Sequence, residues 1–591
     1  MCGIVGCVLK KDRNAAPILK ESIKRLEYRG YDSVGVATVT NKINLDKGKG
    51  KMKEVFNENF ANFPGNTGIA HTRWATHGNP NKTNAHPHTD CNNQIAVVHN
   101  GTLRNYDTLK EELIKEGHVF KSETDTEVIP HLIESFMAQG NDLEESLKQT
   151  VKKLDGSYAI AAIAAAEPNR IVSVKNKSPL IIGLAGKESY LASDIPAILK
   201  YTNEIIRLKN NEFAILDENG VVIKDINGNI IPQEVQIIDW DIKMAEKEGW
   251  SHFMIKEIYE QSDAIKQTLK EKDNIQKIVE QLGEVNNICF VACGTSYHAA
   301  LTGKYLFQEL KGIPTDVILA SEFEYYRNSM RKNTLIIGIS QSGETADTLQ
   351  ALESVKGNSK SLAIVNVLGS QMTDEADYVI YTQAGPEIGV AATKTYMAQL
   401  TAIYLLVALM AEDKLLLNKL EKVPDYVDDS LKLEDHIHNI AKKYMNVSDF
   451  FYIGKGYAYP TALEGALKLK EISYIHAEGY AAGELKHGPL AVLDESVPVL
   501  SIAPPGRAFD VTMTNTEESK VRGSSIISIG PDTKKMKDIA DDTIFMPLEI
   551  DEIIAPLTYI VPLQLFSFYV CIEKELDPDK PRNLAKTVTV E

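Results

Sequence analysis

The cysteine at position 2 is the residue whose type and position most directly suggest chemistry. The chain begins MCGIVG, so removal of Met1 would leave Cys2 with a free α-amino group beside its thiol. An unperturbed thiol has a pKa of about 8.5 and an α-amine one of about 7.7–8.0. The amine can therefore accept the thiol proton near neutral pH, directly or through one water. This start predicts a cysteine nucleophile that carries its own base.

Side chains suited to an amino-acid substrate follow within 125 residues. Arg73 offers a guanidinium fork for a carboxylate, and Asp125 offers an anion for an ammonium group. The Asn100 side chain and the Gly101 N–H are donors for an oxyanion. Each alone has a structural explanation, as a surface ion pair, a helix cap or a hairpin turn. Together with Cys2 they indicate an amide-cleaving site.

A second polar group predicts a phosphate site. The letters SQSGET, residues 340–345, follow an apolar strand and open a helix, where hydroxyls and free N–H groups suit a phosphate dianion. The lysine and glycine spacing of a P-loop are missing, which favours a sugar phosphate over a nucleotide. Thr295 and Ser296 follow the preceding strand and are expected at the same edge of the sheet. Cys293 beside them is expected to be non-catalytic.

The last third of the chain carries candidate acid–base groups. Glu464, Lys468 and Glu471 are spaced i, i+4 and i+7 on one helical face. They form either a solvated ion pair worth about 0.2–0.5 kcal/mol or a buried carboxylate that moves protons. His487 lies in a loop of small residues. Lys586 lies near the end, where composition alone predicts only a surface lysine.

The bulk properties exclude several classes of protein. A chain of 591 residues predicts three or four domains. The net charge of −17 argues against nucleic acid or an anionic membrane as partner. Six cysteines without a C-x-x-C pair argue against a disulfide framework or a zinc site and fit a reducing cytoplasm. The apolar stretch 553–572 contains two prolines and is predicted to be a buried core segment.

The pattern of apolar runs divides the chain. Short β-type runs dominate residues 1–225, with two helical patterns, which predicts mixed sheets with packed helices. From residue 288, apolar strands alternate with helices, the pattern of a parallel sheet covered on both faces. A shift of 162 residues superposes Gly294 on Gly456 and Tyr297 on Tyr459, which predicts two duplicated α/β domains.

The first 220 or so residues resemble the glutaminase domain of the N-terminal-nucleophile amidotransferases. The resemblance implies that Cys2 attacks the glutamine amide and that Asn100 with Gly101 forms the oxyanion hole. Trp74 resembles the tryptophan that gates ammonia passage in related enzymes, although core packing explains it equally well. The residues implied to bind glutamine are Arg73, Trp74, Thr76, His77 and Asp125.

The whole chain resembles the family of isomerising glutamine–fructose-6-phosphate aminotransferases. The matching motifs are SQSGET, EIGVA, ALEGALKLKE, AGELKHGP and PRNLAK. The resemblance implies an α/β and α+β multidomain chain: an αββα sandwich, then two flavodoxin-like sugar-isomerase (SIS) domains with parallel sheets. The implied ranges are 2–220 for the glutaminase domain, 221–280 for a linker and leading helix, 281–420 and 440–581 for the SIS domains, and 582–591 for a catalytic tail.

The same resemblance implies substrates and surroundings. Glutamine and fructose 6-phosphate are the expected substrates, with no metal or organic cofactor. A cytoplasmic homodimer is expected, without nucleic acid or membrane as a partner.

Roles in the sugar site are likewise implied by the resemblance. Lys586 is expected to form an imine with the ketose, Glu471 to move a proton between C1 and C2, and His487 to enter from the neighbouring subunit and assist ring opening. Lys468 and Glu464 are expected beside Glu471. The residues expected to hold the sugar phosphate are Thr295, Ser296, Ser340, Gln341, Ser342, Thr345 and Val390. The family usually has serine where this chain has Ala392, so one side-chain donor is missing.

Three other classes of protein agree less well with the sequence. An amidotransferase acting on phosphoribosyl pyrophosphate needs paired acidic residues before a pyrophosphate loop, and asparagine synthetase needs an S-G-G-x-D-S loop. The sequence has neither. A sugar-phosphate sensor built on SIS domains needs neither Cys2 nor Lys586, so the presence of both argues against it.

Overall fold

The computed structural model describes residues 2–56, 63–75, 77–238 and 246–587. The chain divides into two compact units, residues 1–245 with 585–591, and residues 246–584. The two units are described separately below.

The first unit is built on two antiparallel sheets. Its described strands are β1 (Gly3–Val8), β2 (Ser33–Val39), β3 (Ile43–Lys49), β4 (Thr67–Arg73), β5 (His88–Thr89), β6 (Ile95–Leu103), β7 (Gly156–Ala164), β8 (Ile171–Asn176), β9 (Ile181–Ala185), β10 (Glu188–Ala192), β11 (Glu204–Arg207), β12 (Phe213–Asp217), β13 (Gly220–Lys224) and β14 (Val235–Ile237). Within this described part, eight strands form one sheet in the order β14-β11-β9-β10-β1-β4-β2-β3, and six form the other in the order β13-β12-β8-β7-β6-β5.

Helices cover the outer face of each sheet. The described helices of this unit are α1 (Ala15–Lys24), α2 (Met52–Val55), α3 (Tyr106–Lys115), α4 (Val128–Ala138) and α5 (Leu143–Val151), with short 3-10 helices at Glu27–Arg29, Asp125–Glu127 and Ile195–Ala197. Helix α1 packs on β1 and β4, and α4 and α5 pack on β6 and β7. Apolar residues such as Ile4 and Val98 fill the space between the sheets. The predicted αββα sandwich is therefore confirmed.

The first part of the predicted linker, 221–280, is not a linker in the structure. Strand β13 pairs with β12, and β14 pairs with β11, so residues up to 237 extend both sheets. The reason is local: a turn after Asp217 reverses the chain, and β-branched Val221, Val222 and Ile223 then favour a strand. Residues 239–245 of the predicted linker lie outside the described residues.

The second unit contains two sheets of one topology. Its strands are β15 (Asn287–Ala292), β16 (Thr315–Leu319), β17 (Thr334–Ser340), β18 (Ser361–Val365), β19 (Tyr378–Tyr381), β20 (Asp449–Gly454), β21 (His476–Ala481), β22 (Val499–Ile502), β23 (Ile526–Gly530) and β24 (Asp542–Phe545). The described strands form two five-stranded parallel sheets, ordered β16-β15-β17-β18-β19 and β21-β20-β22-β23-β24. Both follow the flavodoxin-like order 2-1-3-4-5. The predicted duplication is confirmed.

Helices surround both sheets. They are α6 (Phe253–Tyr259), α7 (Gln261–Leu269), α8 (Lys272–Leu282), α9 (Gly294–Leu306), α10 (Phe323–Tyr326), α11 (Ala346–Val355), α12 (Gln371–Glu375), α13 (Lys394–Met410), α14 (Lys414–Leu420), α15 (Val423–Leu431), α16 (Glu434–Tyr444), α17 (Ala458–Ser473), α18 (Phe509–Val521), α19 (Lys534–Ile539) and α20 (Ile560–Glu573). A π-helix, Phe307–Lys311, extends α9, and 3-10 helices lie at Ala320–Glu322, Arg327–Ser329, Ala482–His487, Pro489–Val492 and Ala555–Leu557.

Helix α20 carries the longest apolar stretch of the described chain. By length and composition alone, the segment Ala555–Glu573 is able to cross a membrane, but 89% of it is buried inside the protein. It packs against α16 and α17, and Leu563 and Phe566 are fully buried. The stretch is a core helix of the second unit.

Phe566→Ala tests this placement of α20. We expect the free energy of unfolding of the second unit to fall by about 3–5 kcal/mol, because the change leaves a cavity in a packed core. Urea denaturation measures the loss. Val521→Ala, at a site 79% exposed, is the control and should change stability little. Equal effects of the two substitutions would show that α20 is not part of the core.

Candidate active site

The Cys2 thiol is held at the beginning of β1. Gly3, the next residue, pairs with Thr72 on β4. The Trp74 N–H donates to Cys2 Sγ over 3.3 Å, and the thiol lies 3.6 Å from the Trp74 carbonyl oxygen. Desolvation raises the pKa of the Cys2 thiol, while the Trp74 N–H and the Arg73 cation act in the opposite direction. The resting group is therefore a thiol that needs a base.

Asn100 reaches Cys2 from the opposite sheet. Its Nδ2 donates to the Cys2 carbonyl oxygen at 3.0 Å, and its Oδ1 lies 3.0 Å from His71 Nε2. The same Nε2 lies 3.0 Å from the His99 carbonyl oxygen. Both neighbours of Nε2 are acceptors, so this nitrogen carries the proton. His71 thus fixes which end of the Asn100 amide faces Cys2.

Gly101 occupies a position that only glycine fits. Its φ is +134°, and a Cβ built there would lie 2.0 Å from the Ser157 carbonyl oxygen on β7. Side-chain-bearing residues rarely adopt this backbone conformation. The close approach of β6 to β7 therefore leaves no room for a side chain on the residue after Asn100.

The Arg73 guanidinium is buried, and its two terminal nitrogens differ in their contacts. Its Nη2 donates to the carbonyl oxygens of His77 and, over 3.2 Å, of Gly78. Its Nη1 has no hydrogen-bond partner among the described residues. Burial lowers the pKa of Arg73, opposed by Cys2 and Asp125. A buried cation with a spare donor suits a substrate carboxylate.

The other predicted glutamine ligands differ in how they are placed. Asp125 is 5% exposed, and its Oδ2 accepts from the Leu103 N–H at 2.9 Å. The His77 ring contacts the Tyr106 ring edge-on, with centroids 5.7 Å apart. Trp74 is partly buried. Thr76 lies outside the described residues.

Three more histidines are buried behind this site. His86 Nε2 and His99 Nδ1 each lie 2.9 Å from Thr126 Oγ1, and His88 Nε2 lies 3.1 Å from Thr124 Oγ1. Burial lowers the pKa of all three. These neutral rings contact the residues on both sides of Asp125 and so help to position it.

In the second unit, the SQSGET segment joins β17 to α11. Ser340 Oγ accepts from the Gly343 N–H at 3.0 Å and lies 2.9 Å from Thr345 Oγ1. Ser342 Oγ accepts from the Glu344 N–H at 3.1 Å. The Gln341 carbonyl oxygen accepts from Asn366 at the end of the neighbouring strand. The predicted hydroxyls are therefore gathered in one tight turn.

The Glu464–Lys468–Glu471 group is a buried network and not a solvated ion pair. Glu464 and Lys468 are fully buried. Lys468 Nζ lies 3.3 Å from Glu464 Oε1, 2.7 Å from Glu471 Oε2 and 3.2 Å from Thr295 Oγ1. Burial alone would lower the pKa of Lys468, but the two carboxylates outweigh it and raise that pKa. The cluster joins α17 to α9.

Two residues that the sequence analysis did not single out complete these sites. His71 lies two positions before Arg73 on β4, and the two-residue period of a strand places both on one face. His298 lies 2.7 Å from Glu464 Oε2 and one helical turn after Thr295. The spacing of His71 from Arg73 and of His298 from Thr295 is visible in the sequence. Their hydrogen-bond partners, Asn100 and Glu464, are distant in the chain, so the sequence did not reveal these contacts.

The EIGVA segment is held by the buried Glu257 carboxylate and by one backbone hydrogen bond. Glu257 accepts from the N–H groups of Ile388 and Gly389 at 2.5 and 3.2 Å. The Val390 N–H donates to the Asp579 carbonyl oxygen at 3.3 Å. This leaves the Val390 carbonyl as the backbone group to offer a ligand.

The structure also places three remaining predicted residues of the sugar site, two of which are predicted to be catalytic. His487 is exposed at the end of the 3-10 helix Ala482–His487, and among the described residues no hydrogen bond or ion pair joins it to the Glu464 cluster. Ser296 is buried near the N-terminus of α9. Lys586 is partly buried and belongs to the segment that groups with the first unit.

Comparison with known domain families identifies the class of protein as a glutamine amidotransferase joined to SIS domains. The glutamine amidotransferase domain family matches residues 71–200, and the SIS domain family matches residues 281–409 and 444–574. The C-terminal domain of glucosamine-fructose-6-phosphate aminotransferase from Francisella tularensis, a solved structure, is 37% identical; the match covers 57% of this chain and 99% of that one, with a TM-score of 0.54. The tagatose-6-phosphate ketose/aldose isomerase of Escherichia coli, 17% identical with a TM-score of 0.50, has a similar fold over 56% of this chain and 96% of its own.

Full-length relatives then define the family. The chain is 58% identical to the glutamine–fructose-6-phosphate aminotransferase of Methanothermobacter thermautotrophicus and 49% identical to that of Thermococcus kodakarensis, with 100% of each chain covered. The chain belongs to the isomerising glutamine–fructose-6-phosphate aminotransferase family.

The buried histidines predict acid sensitivity of the first unit. Burial lowers the pKa of His71 to about 3 and lowers those of His86, His88 and His99. Above about pH 6.5 these histidines are neutral in both the folded and the unfolded protein, and stability is unaffected. Below that pH the unfolded chain binds protons that the folded chain does not bind. As the pH is lowered below about 6.5, the free energy of unfolding should therefore decrease by up to about 1.4 kcal/mol per pH unit for each histidine.

Urea unfolding of the first unit between pH 7.5 and 5 measures this slope. His88→Asn should reduce the slope by about one proton. Exposed His476, in the second unit, provides the control His476→Asn, which should leave the first unit's slope unchanged. A stability that does not change with pH over this range would contradict the proposed neutral cluster.

Lys468→Met tests the buried network of the second unit. Without the cation, two carboxylates remain buried together, so we expect a loss of about 3–5 kcal/mol in unfolding free energy. Lys470→Met, at an exposed position on the same helix, should have little effect. The double variant Lys468→Met with Glu464→Gln should regain part of the loss. Equal stabilities of the two lysine variants would rule out the network's structural role.

Proposed function

We propose that this protein transfers the amide nitrogen of glutamine to fructose 6-phosphate and releases glucosamine 6-phosphate and glutamate, the first step of amino-sugar synthesis. The observation that carries the proposal is the joining, in one chain, of the Cys2–Asn100 site with a pair of SIS domains. Full-length identity of 58% to a relative named for this reaction supports it.

The glutaminase step follows from the inter-sheet geometry. The Cys2 thiolate attacks the side-chain carbonyl of glutamine, and the oxyanion is stabilised by Asn100 Nδ2 and the Gly101 N–H. Ammonia leaves, and water then hydrolyses the thioester to glutamate. Because desolvation raises the thiol pKa, the proton must pass to a nearby base, which we assign to the Cys2 α-amine after loss of Met1.

Glutamine is held at its two charged ends. The spare Nη1 of Arg73 binds the substrate carboxylate, and Asp125 binds the ammonium group through the oxygen not used by Leu103. Trp74, Thr76 and His77 border the same substrate in the family arrangement. The charges of Arg73 and Asp125 both act on the Cys2 thiol, which supports their closeness to it.

The sugar phosphate is assigned to the second unit. Ser340, Gln341, Ser342 and Thr345 bind the phosphate at the N-terminus of α11. Other groups expected to contact the sugar are Thr295, Ser296 and the carbonyl of Val390. Ala392 supplies no side-chain donor.

Isomerisation is assigned to a lysine and a carboxylate. Lys586 forms the imine with the open ketose, and Glu471 carries the proton from C1 to C2. Glu471 Oε2 lies 2.7 Å from Lys468 Nζ, an ion pair that helps to hold this carboxylate in place. Glu464 holds Lys468 in place. His487, exposed on its own subunit, assists ring opening in the partner of a homodimer.

The surroundings of this proposed enzyme follow from its chemistry. Ammonia must pass between the two sites shielded from water, because in water it would protonate. The imine uses a protein lysine, so the proposed reaction requires no metal or organic cofactor. We place the enzyme in the cytoplasm, where both substrates are metabolites.

An assay for amino sugar tests the proposal. Incubation with glutamine and fructose 6-phosphate should give equal amounts of glutamate and glucosamine 6-phosphate. Glutamate without amino sugar would overturn the acceptor assignment. Binding of the sugar phosphate without either product would instead favour a SIS-type regulator, and amino sugar formed only from another sugar phosphate would indicate a different amidotransferase.

Cys2→Ala separates the two chemistries. We expect the variant to lose glutamine hydrolysis by at least about 10³-fold, since its nucleophile is gone, and to keep isomerisation of the sugar phosphate. The measurements are glutamate release and interconversion of the hexose phosphates. Equal loss of both activities would contradict separate sites. Mass spectrometry of the active protein should show that Met1 is absent; full activity with Met1 retained would exclude the α-amine as the base.

A further inference from the structure

Four potential metal ligands from distant parts of the first unit meet away from the residues proposed to handle glutamine. They are Cys91 in the turn between β5 and β6, His118 after α3, and His131 with Glu134 on α4. One donor atom from each lies within 4.8 Å of all the others. His131 and Glu134 are one helical turn apart and so share a face of α4.

The spacing of these atoms fits a tetrahedral ion. Cys91 Sγ lies 3.6 Å from His118 Nδ1 and 3.6 Å from His131 Nδ1. Zinc bonds of about 2.3 Å to sulfur and about 2.0–2.1 Å to nitrogen place such a pair roughly 3.6 Å apart at a tetrahedral angle. Glu134 Oε2 lies 2.9 and 3.3 Å from the two nitrogens, within about 0.5 Å of the roughly 3.4 Å expected.

The outer nitrogens of both histidines face groups that orient metal ligands. His118 Nε2 lies 2.8 Å from Ser135 Oγ. His131 is 1% exposed, and its Nε2 has no hydrogen-bond partner among the described residues but lies 3.8 Å from Glu127 Oε1. Metal-bound histidines commonly direct the other ring nitrogen to a hydroxyl or carboxylate. Both rings therefore present Nδ1 to one common point.

We propose that Cys91, His118, His131 and Glu134 bind a zinc ion. A thiolate, two imidazoles and a carboxylate together bind zinc in preference to the hard cations magnesium and calcium. Four protein ligands leave no open position for substrate, so the site is structural. The C-x-x-C criterion of the sequence analysis missed it because three of its four ligands are separated by 12 residues or more.

The ion would connect three segments near the glutaminase residues: the turn that contains Cys91, the loop that follows His118, and α4. Cys91 begins the turn before β6, the strand that carries Asn100. His118 precedes the loop whose N–H groups at Lys121 and Ser122 are held by Glu127. Zinc would thus tie this loop and this turn to α4 and stabilise the first unit.

Metal analysis of the full-length protein tests the site. Protein produced with zinc and passed through gel filtration should contain about one zinc ion per chain. Cys91→Ser and Glu134→Gln should each reduce the content, and removal of zinc with a chelator should lower the Tm of the first unit by about 5 °C or more. Cys7→Ala, in the same unit but on β1, is the matched control and should retain the zinc.

Cobalt provides a second measurement that does not depend on stability. Co²⁺ replacing zinc should give tetrahedral d–d bands and a thiolate charge-transfer band, and the latter should be absent in Cys91→Ser. Zinc-free protein that takes up no added zinc would overturn the proposal. Undiminished zinc or an unchanged charge-transfer band in Cys91→Ser would overturn it as well, because the metal would then lie elsewhere.

Discussion

The hydrogen bond from the Asn100 amide to the Cys2 carbonyl is the interaction on which the first unit's site depends. A residue next to a chain terminus normally frays, but here it is attached to the opposite sheet at 3.0 Å and paired through Gly3 with β4. The orientation of that amide depends in turn on a neutral His71. A protonated ring would have no acceptor for its second proton among the described residues, so burial of this histidine maintains the donor that faces the nucleophile.

The buried network of the second unit contains charged side chains, whereas the histidines buried in the first unit's site are neutral. Lys468 and Glu464 are completely buried, and an isolated charge at that depth would be very costly. Glu464 contacts both Lys468 and His298, and Lys468 also contacts Glu471, so each of the two buried groups has polar partners. The network therefore links helices of the two SIS copies, because His298 lies on α9 and the other three residues lie on α17.

Much of the fold could be predicted from local pattern, whereas long-range partners could not. Short β-type runs in residues 1–225 and the alternation of apolar strands with helices from residue 288 were sufficient to predict both sheet types, and the 162-residue repeat predicted the duplication. The boundary at 220 was misplaced because β13 is short and follows a polar turn, so it looks like a loop until its partner strand is known. The contact of His298 with Glu464 spans 166 residues and follows from no local spacing. The roles of Lys586 and His487 remain predictions.

The identical strand order of the two parallel sheets has a consequence for how their work is divided. The position after β17 that holds SQSGET corresponds, after β22, to the sequence Ala503-Pro504-Pro505-Gly506. Proline has no N–H, and none of these four side chains bears a hydroxyl, so this turn lacks the hydroxyl donors and some of the N–H donors of the SQSGET turn. The two parallel sheets thus share one strand order, but only the first has a hydroxyl-rich turn at this position. The second copy differs in another way, because its α17 supplies Glu464, Lys468 and Glu471 to the buried network.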